Sequence, residues 1–215
     1  MKISALIPAR GNSKRIKHKN LVQINSLPLI YYTIDAAKNS MVDSIWVSTD
    51  DNKIKEISLS FGANVIDRPE ELAEDNTTTE EVIHHFFQKV SCDAIVLIQA
   101  TSPMVLSEDI NKGINTFLSG EYDSVFSACE PEDMLLWDKN NNTPINYDLY
   151  DRMNISKRMS ILIETGAFYI FTRDCFLQNS CRLGGKIGYV LQDYWKSFEI
   201  DVMDDLKNIR KLMKD

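Results

Sequence analysis

The sequence predicts an α/β domain built on a mostly parallel sheet flanked by helices. Short apolar, β-branched runs alternate with longer segments of helical period. The most apolar run, residues 93–99, is unbroken, as in strands buried on both faces. Residues 2–8 form the first strand. After a polar loop, Leu27, Leu29, Ile30, Ile34 and Ala37 fit one helical face. A strand at 44–48, a helix at 51–61 closed by Gly62, and a short strand at 63–66 follow. Thr77 with Glu80 and Thr78 with Glu81 offer two overlapping capping boxes for a helix reaching to about Val90. Beyond the strand at 93–99, a helix spans 107–118 and a strand 123–129. From 130 to 163 the rhythm changes, with a turn at Asn140, Asn141, Asn142, Thr143 and Pro144, and this stretch reads as an inserted excursion from the core, a lobe or a dimer contact. Regular patterning returns at 166–171, 186–191 and 198–200, and a helix over 204–213 closes a single domain covering 1–215.

With 215 residues and a formal charge of −7, the chain has room for one full core and no general basic surface, which argues against nucleic acid as a partner. No window approaches the roughly 18 apolar residues a membrane span needs, and the run from Ile3 to Ile7 is too short for a secretory signal, so a soluble, cytoplasmic protein that binds no membrane is expected. Cys92, Cys129, Cys175 and Cys181 include no Cys-x-x-Cys pair, and Cys92 and Cys129 beside apolar runs read as small buried side chains. His84 and His85 lack a metal-spaced partner and read as packing or surface residues.

The first loop is the most informative segment. Residues 10–19 hold five of the 24 basic side chains of an acidic protein. Such crowding is unfavourable unless an anion compensates it. The loop follows the carboxyl end of the first strand, where open α/β sheets place ligands, and Gly11, Asn12 and Ser13 can turn backbone N–H groups toward phosphate oxygens. A polyphosphate is the expected ligand. Neither Gly-x-Gly-x-x-Gly nor the P-loop pattern is present, which argues against a hydride-transfer enzyme, and Gly184-Gly185 reads as a hairpin turn. In an extended segment 197–201, Glu199 and Asp201 share one face, and paired carboxylates beside a polyphosphate favour Mg2+. Gln99, Thr101 and Ser102, leaving the most apolar strand, offer neutral donors and acceptors suited to a polyhydroxylated ligand.

Taken in order, residues 6–15, 19–21, Ser48-Thr49-Asp50, Arg68-Pro69, 99–103, 166–169 and 198–201 resemble the acylneuraminate cytidylyltransferase family, the CMP-sialic acid synthetases and their relatives for other nine- and eight-carbon keto sugars. The resemblance covers nearly the whole chain. It implies a Rossmann-like nucleotidyltransferase core, a homodimer, Mg2+, and transfer of CMP from CTP to the anomeric hydroxyl of a sialic-acid-like keto sugar acid in surface-glycan synthesis. A 3-deoxy-octulosonic or amino-substituted acid is the alternative acceptor, and a non-catalytic nucleotide-binding regulatory protein the alternative class. By motif, Arg10, Lys14 and Lys19 hold the triphosphate, with Asn12, Ser13 and Asn20 adding hydrogen bonds. Arg68 and Thr79 fix the nucleotide, and Gln99, Thr101 and Ser102 face the sugar acid. Arg10, Lys14 and Asp201 are the implied catalytic residues, and Glu199 and Asp201 the metal ligands. The chain departs from the family pattern at Glu199, where relatives carry a first aspartate, and at Thr165, where sialic acid enzymes carry asparagine. Arg152, Lys157 and Arg158 are candidates for the sugar carboxylate.

Overall fold

A computed structural model describes residues 1–131, 134–152 and 160–213. β1 (Ile3–Pro8), β4 (Ser44–Thr49), β5 (Asn64–Asp67), β6 (Ala94–Ile98), β7 (Ser124–Cys129), β10 (Ile163–Thr172) and β11 (Ile187–Leu191) form one seven-stranded sheet in the order β11-β7-β10-β6-β1-β4-β5. All pairings are parallel except those of β10, which runs antiparallel to both β6 and β7. β2 (Gln23–Ile24) and β3 (Leu27–Pro28) make a small hairpin, as do β8 (Trp137–Asp138) and β9 (Thr143–Pro144). The helices are α1 (Leu29–Lys38), α2 (Asn52–Ser60), α3 (Thr79–Lys89), α4 (Ser107–Leu118), α5 (Arg173–Asn179) and α6 (Met203–Leu212). No helix among the described residues is long and apolar enough to cross a membrane.

Strand alternation divides the core. Ile3, Ala5 and Ile7 of β1 and Ala94, Val96 and Ile98 of β6 pack with Ile30 and Ile34 of α1 and Ile110 and Ile114 of α4. Leu6, Ile95 and Leu97 point the other way, onto Ile83, Phe86 and Phe87 of α3. These strands read as continuous apolar runs because helices cover both of their faces. A third cluster lies outside the sheet and joins Ile16 of the basic loop, Ile24, Leu29, Met104, Ile200 and two α6 residues, Leu206 and Ile209. It carries the far end of the chain to the basic loop.

The structure corrects several expectations. Leu27 sits in the β2–β3 hairpin, made possible by positive φ at Asn25 and Ser26, and α1 begins at Leu29. Only the Thr78–Glu81 capping box forms; Thr77 donates to the Glu71 carbonyl and Glu80 is taken by Arg182. Residues 198–200 are not a strand: they follow a 3-10 turn at Tyr194–Ser197 and join no ladder, with Ile200 N–H bonded to the Thr101 carbonyl. Gly184-Gly185 does not turn a hairpin, since the strand it leads into, β11, lies parallel to β7. α5, capped by the Thr172 hydroxyl, has no counterpart in the sequence reading. Cys92 and Cys129 are buried, as is His85, while His84 is exposed.

Candidate active site

β1 lies where the chain order reverses: β4 and β5 extend the sheet on one side, and β6 returns to the other. Ligands of open α/β sheets bind at the carboxyl ends of strands flanking such a point. The basic loop starts there. Ala9 N–H bonds the Ser48 carbonyl, Gly11 N–H bonds the Asp50 carboxylate at 2.9 Å, and the buried Asn20 side chain donates to the Arg10 carbonyl at 2.9 Å. Gly11 is required by space, because a Cβ there would lie 2.7 Å from that of Asp51. Asn20 therefore braces the loop from within.

The loop's cations separate into two groups. Arg10 donates to the Glu74 carbonyl (2.8 Å) and pairs with Asp75 (3.1 Å), and Lys14 meets the second oxygen of Asp75 at 2.5 Å. Lys19 and Arg15 instead hold the two oxygens of Asp201, at 3.0 and 3.2 Å, and Lys19 also donates to the Ile200 carbonyl. The Lys19 hydrogen bond does most to hold Asp201 below the usual carboxylate range, as the Lys14 bond does for Asp75. One loop thus sends Arg10 and Lys14 to the Asp75 strip and Arg15 and Lys19 to Asp201.

Glu199 occupies a different environment. Burial pushes its carboxyl group up, against the effect of a 3.0 Å hydrogen bond from Ser102. It leans on Gly166, whose φ of +73° excludes most side chains and where a Cβ would lie 2.8 Å from Glu199 Oε1. The same bend shifts the register between β10 and β7. Behind Glu199, Lys196 donates to both oxygens of Asp109 at 2.9 Å, an ion pair almost wholly out of water. The Ser102–Glu199 and Ile200–Thr101 bonds fasten the acid segment to the loop that leaves β6, and the ion pair ties the 3-10 turn before it to α4.

Arg68 is buried and donates to the Ser48 hydroxyl and carbonyl; burial pulls it down to about 10, so it remains charged at neutral pH. With Arg10, Thr78 and Thr79 it lines a cavity of about 200 Å3, and Asn12, Ser13 and Lys14 face an adjoining one of about 710 Å3 with Asp50, Glu70 and Asp75. Gln99 is half-buried and its backbone N–H bonds the Ala167 carbonyl, placing it with Thr101 and Ser102 on the Glu199 side. Lys157 and Arg158 lie outside the described residues, and Arg152 stacks on Tyr147 within the excursion.

Sequence reasoning missed Asp75, Lys196, Asp109 and the bidentate Glu80–Arg182 pair. A signal existed for Asp75: Glu70, Glu71, Glu74 and Asp75 form an acidic stretch opposite in sign to the basic loop and comparably dense. Lys196 and Asp109 stand 87 residues apart, and nothing local pairs them.

The sheet order, with opposed charges gathered beyond the carboxyl end of β1, is that of a nucleotidyltransferase-like α/β fold. A model of the cytidylyltransferase family matches residues 4–213, and the chain belongs to that family. It is 33% identical over 207 residues to N-acylneuraminate cytidylyltransferase A of Danio rerio, covering 93% of this chain and 48% of that protein. It is 30% identical to the Post-translational flagellin modification protein B of Campylobacter coli, covering 99% and 95%. The chain thus spans about half the length of the fish relative and nearly all of the bacterial one. In fold it matches a CMP:2-keto-3-deoxy-manno-octonic acid synthetase solved with CTP, at a TM-score of 0.76 and 19% identity over 99% of this chain and 98% of the other.

Proposed function

We propose that this chain transfers CMP from CTP to the anomeric hydroxyl of a sialic-acid-like 2-keto sugar acid and releases pyrophosphate. The observation that carries this reading is the meeting of the basic loop with the acid segment, joined by Lys19 and Asp201 at 3.0 Å. The names of the relatives support it, as does the family. Family likeness adds a homodimer in the cytoplasm, and exposed Trp137, Ile145, Leu149 and Tyr150 make the excursion at 130–163 the suitable contact.

In this reading Arg10 and Lys14 hold the outer phosphates and stabilise the charge that collects on pyrophosphate as the bond to the β-phosphate breaks. Lys19 lies toward the inner phosphate, Asn12 and Ser13 donate from the loop, and Asn20 keeps the loop in shape. Arg68 and Thr79 bound the recess for the nucleoside. Gln99, Thr101 and Ser102 orient the sugar acid so that its hydroxyl oxygen attacks the α-phosphorus, forming the new P–O bond as the bond from that phosphorus to the pyrophosphate oxygen breaks and the hydroxyl proton passes to solvent water. No side-chain nucleophile is needed.

Glu199 and Asp201 provide hard oxygen donors, and Mg2+ commonly takes one or two carboxylates together with substrate oxygens, so the donor set fits. Both oxygens of Asp201 face cations here, so holding the ion requires one of Lys19 and Arg15 to turn to the phosphates. When bound, the ion neutralises phosphate charge during transfer.

Pyrophosphate release measured over four nucleoside triphosphates and a panel of sialic, legionaminic, pseudaminic and 3-deoxy-octulosonic acids tests the proposal. Release with CTP and one of these acids is expected. No release with any pair would overturn it. The octulosonic acid is the second acceptor to favour, given the name of the structural neighbour.

A further inference from the structure

Asp75 stands apart from every residue assigned a role above. Its carboxylate spans Arg10 and Lys14, at 3.1 and 2.5 Å, and these are its charged partners among the described residues. Both cations belong to the triphosphate grip, so a carboxylate sits where the reading above puts phosphate oxygens. Residues 73–76 also contribute to the walls of the 200 and 710 Å3 cavities, with Asp75 lining both, and Arg10 anchors the strip through the Glu74 carbonyl at 2.8 Å. A ligand that reaches Arg10 and Lys14 together must first part them from Asp75.

Little else holds that carboxylate. Its side chain is 48% exposed and Lys14 is 78% exposed, so water screens the pair and its loss costs little. The carboxylate carries one negative charge and two oxygens. A polyphosphate tail carries several of each, and charge-assisted bonds to guanidinium and ammonium favour it. While the site is empty, the carboxylate offsets the mutual repulsion of Arg10 and Lys14 and holds both side chains close to where a ligand needs them.

We propose that Asp75 is an internal anionic competitor at the triphosphate site, which holds Arg10 and Lys14 in the free protein, yields them to the incoming tail and takes them back as pyrophosphate leaves. This rests on the cytidylyltransferase reading and adds a residue that sets affinity for the anionic end of the substrate and product. Asp75 acts through the two cations and touches no reacting atom.

Calorimetric titration of the full chain and its Asp75→Asn variant with inorganic pyrophosphate, cytidine and CTP tests the proposal. The amide keeps size and shape but drops the charge. The variant is expected to bind pyrophosphate and CTP about three- to tenfold more tightly, as loss of two screened ion pairs implies. Cytidine, lacking phosphate, should bind both proteins alike, and pyrophosphate should inhibit turnover of the variant at correspondingly lower concentration. Equal or weaker pyrophosphate binding by the variant, with normal binding by the parent protein, overturns the role of Asp75 and leaves the enzyme reading intact. A parent protein that binds neither CTP nor pyrophosphate overturns both.

Discussion

Two carboxylates neutralise the same basic loop, and they are built differently. Asp201 lies in a segment fastened at three points: Lys196 to Asp109, Glu199 to Ser102, and Ile200 to Thr101, with Ile200 fully buried beside Ile16. Asp75 is as exposed as Asp201 and likewise answers to the loop's cations, but its strip is tied to the loop through Arg10 at the Ala73 and Glu74 carbonyls. On the proposed reading the first contact is scaffold for a ligand and the second a stand-in for one. A metal ligand must keep its position when the loop lets go; a competitor must be able to leave.

Removing either charge should therefore have opposite consequences. Asp201→Ala is expected to lower product formation by about a hundredfold or more, since transfer loses a charge-stabilising ligand, while CTP binding stays measurable. Steady-state pyrophosphate release and calorimetry on the same sample check this. Unchanged turnover would remove Asp201 from the chemistry and erase the contrast with Asp75.

The brace behind the acid segment supplies the next effect. Lys196→Met strands the Asp109 carboxylate in a buried site and should cost about 3–5 kcal/mol in urea unfolding. The double variant Lys196→Met, Asp109→Leu should recover part of it, because an apolar pair replaces a desolvated ionic one while the Leu106 N–H loses its Asp109 acceptor at the start of α4. A single variant as stable as the parent would mean that the acid segment is not fastened there. No such compensation is needed around Asp75.

The smallest effect is in pH. Asp75 is held low chiefly by Lys14, so the stability it contributes is complete above the ordinary carboxylate range and fades as pH falls through its lowered folded value. In acid, the melting temperature of Asp75→Asn should fall slightly less steeply than that of the parent. Parallel curves would show that the pair with Lys14 is not maintained in solution.

Much of this was legible in the sequence because its physics is local. Strand runs, the Thr78–Glu81 box and the charge density of residues 10–19 each announce themselves within a few residues. The segment at 197–201 was legible by composition but not by conformation. Its alternation suits a strand, yet the third cluster buries Ile200, and among the described residues Ile200 makes one backbone-to-backbone bond, to Thr101, in place of a ladder. Leu27 fits the helical face by spacing, but Asn25 and Ser26 accept left-handed backbone and turn the chain into a hairpin first. Asp75 and the Lys196–Asp109 pair stayed hidden because their partners are 61 to 87 residues distant, and only the folded sheet brings them together.

The central claim is that residues 10–19 grip a nucleoside triphosphate while Glu199 and Asp201 bring a divalent ion to it. A crystal structure of the protein grown with CTP and Mg2+ tests this most directly. The account predicts phosphate oxygens on Arg10 and Lys14, Asp75 turned away, and the ion on Asp201. A triphosphate bound elsewhere, with the basic loop still paired to Asp75 and Asp201, would contradict it.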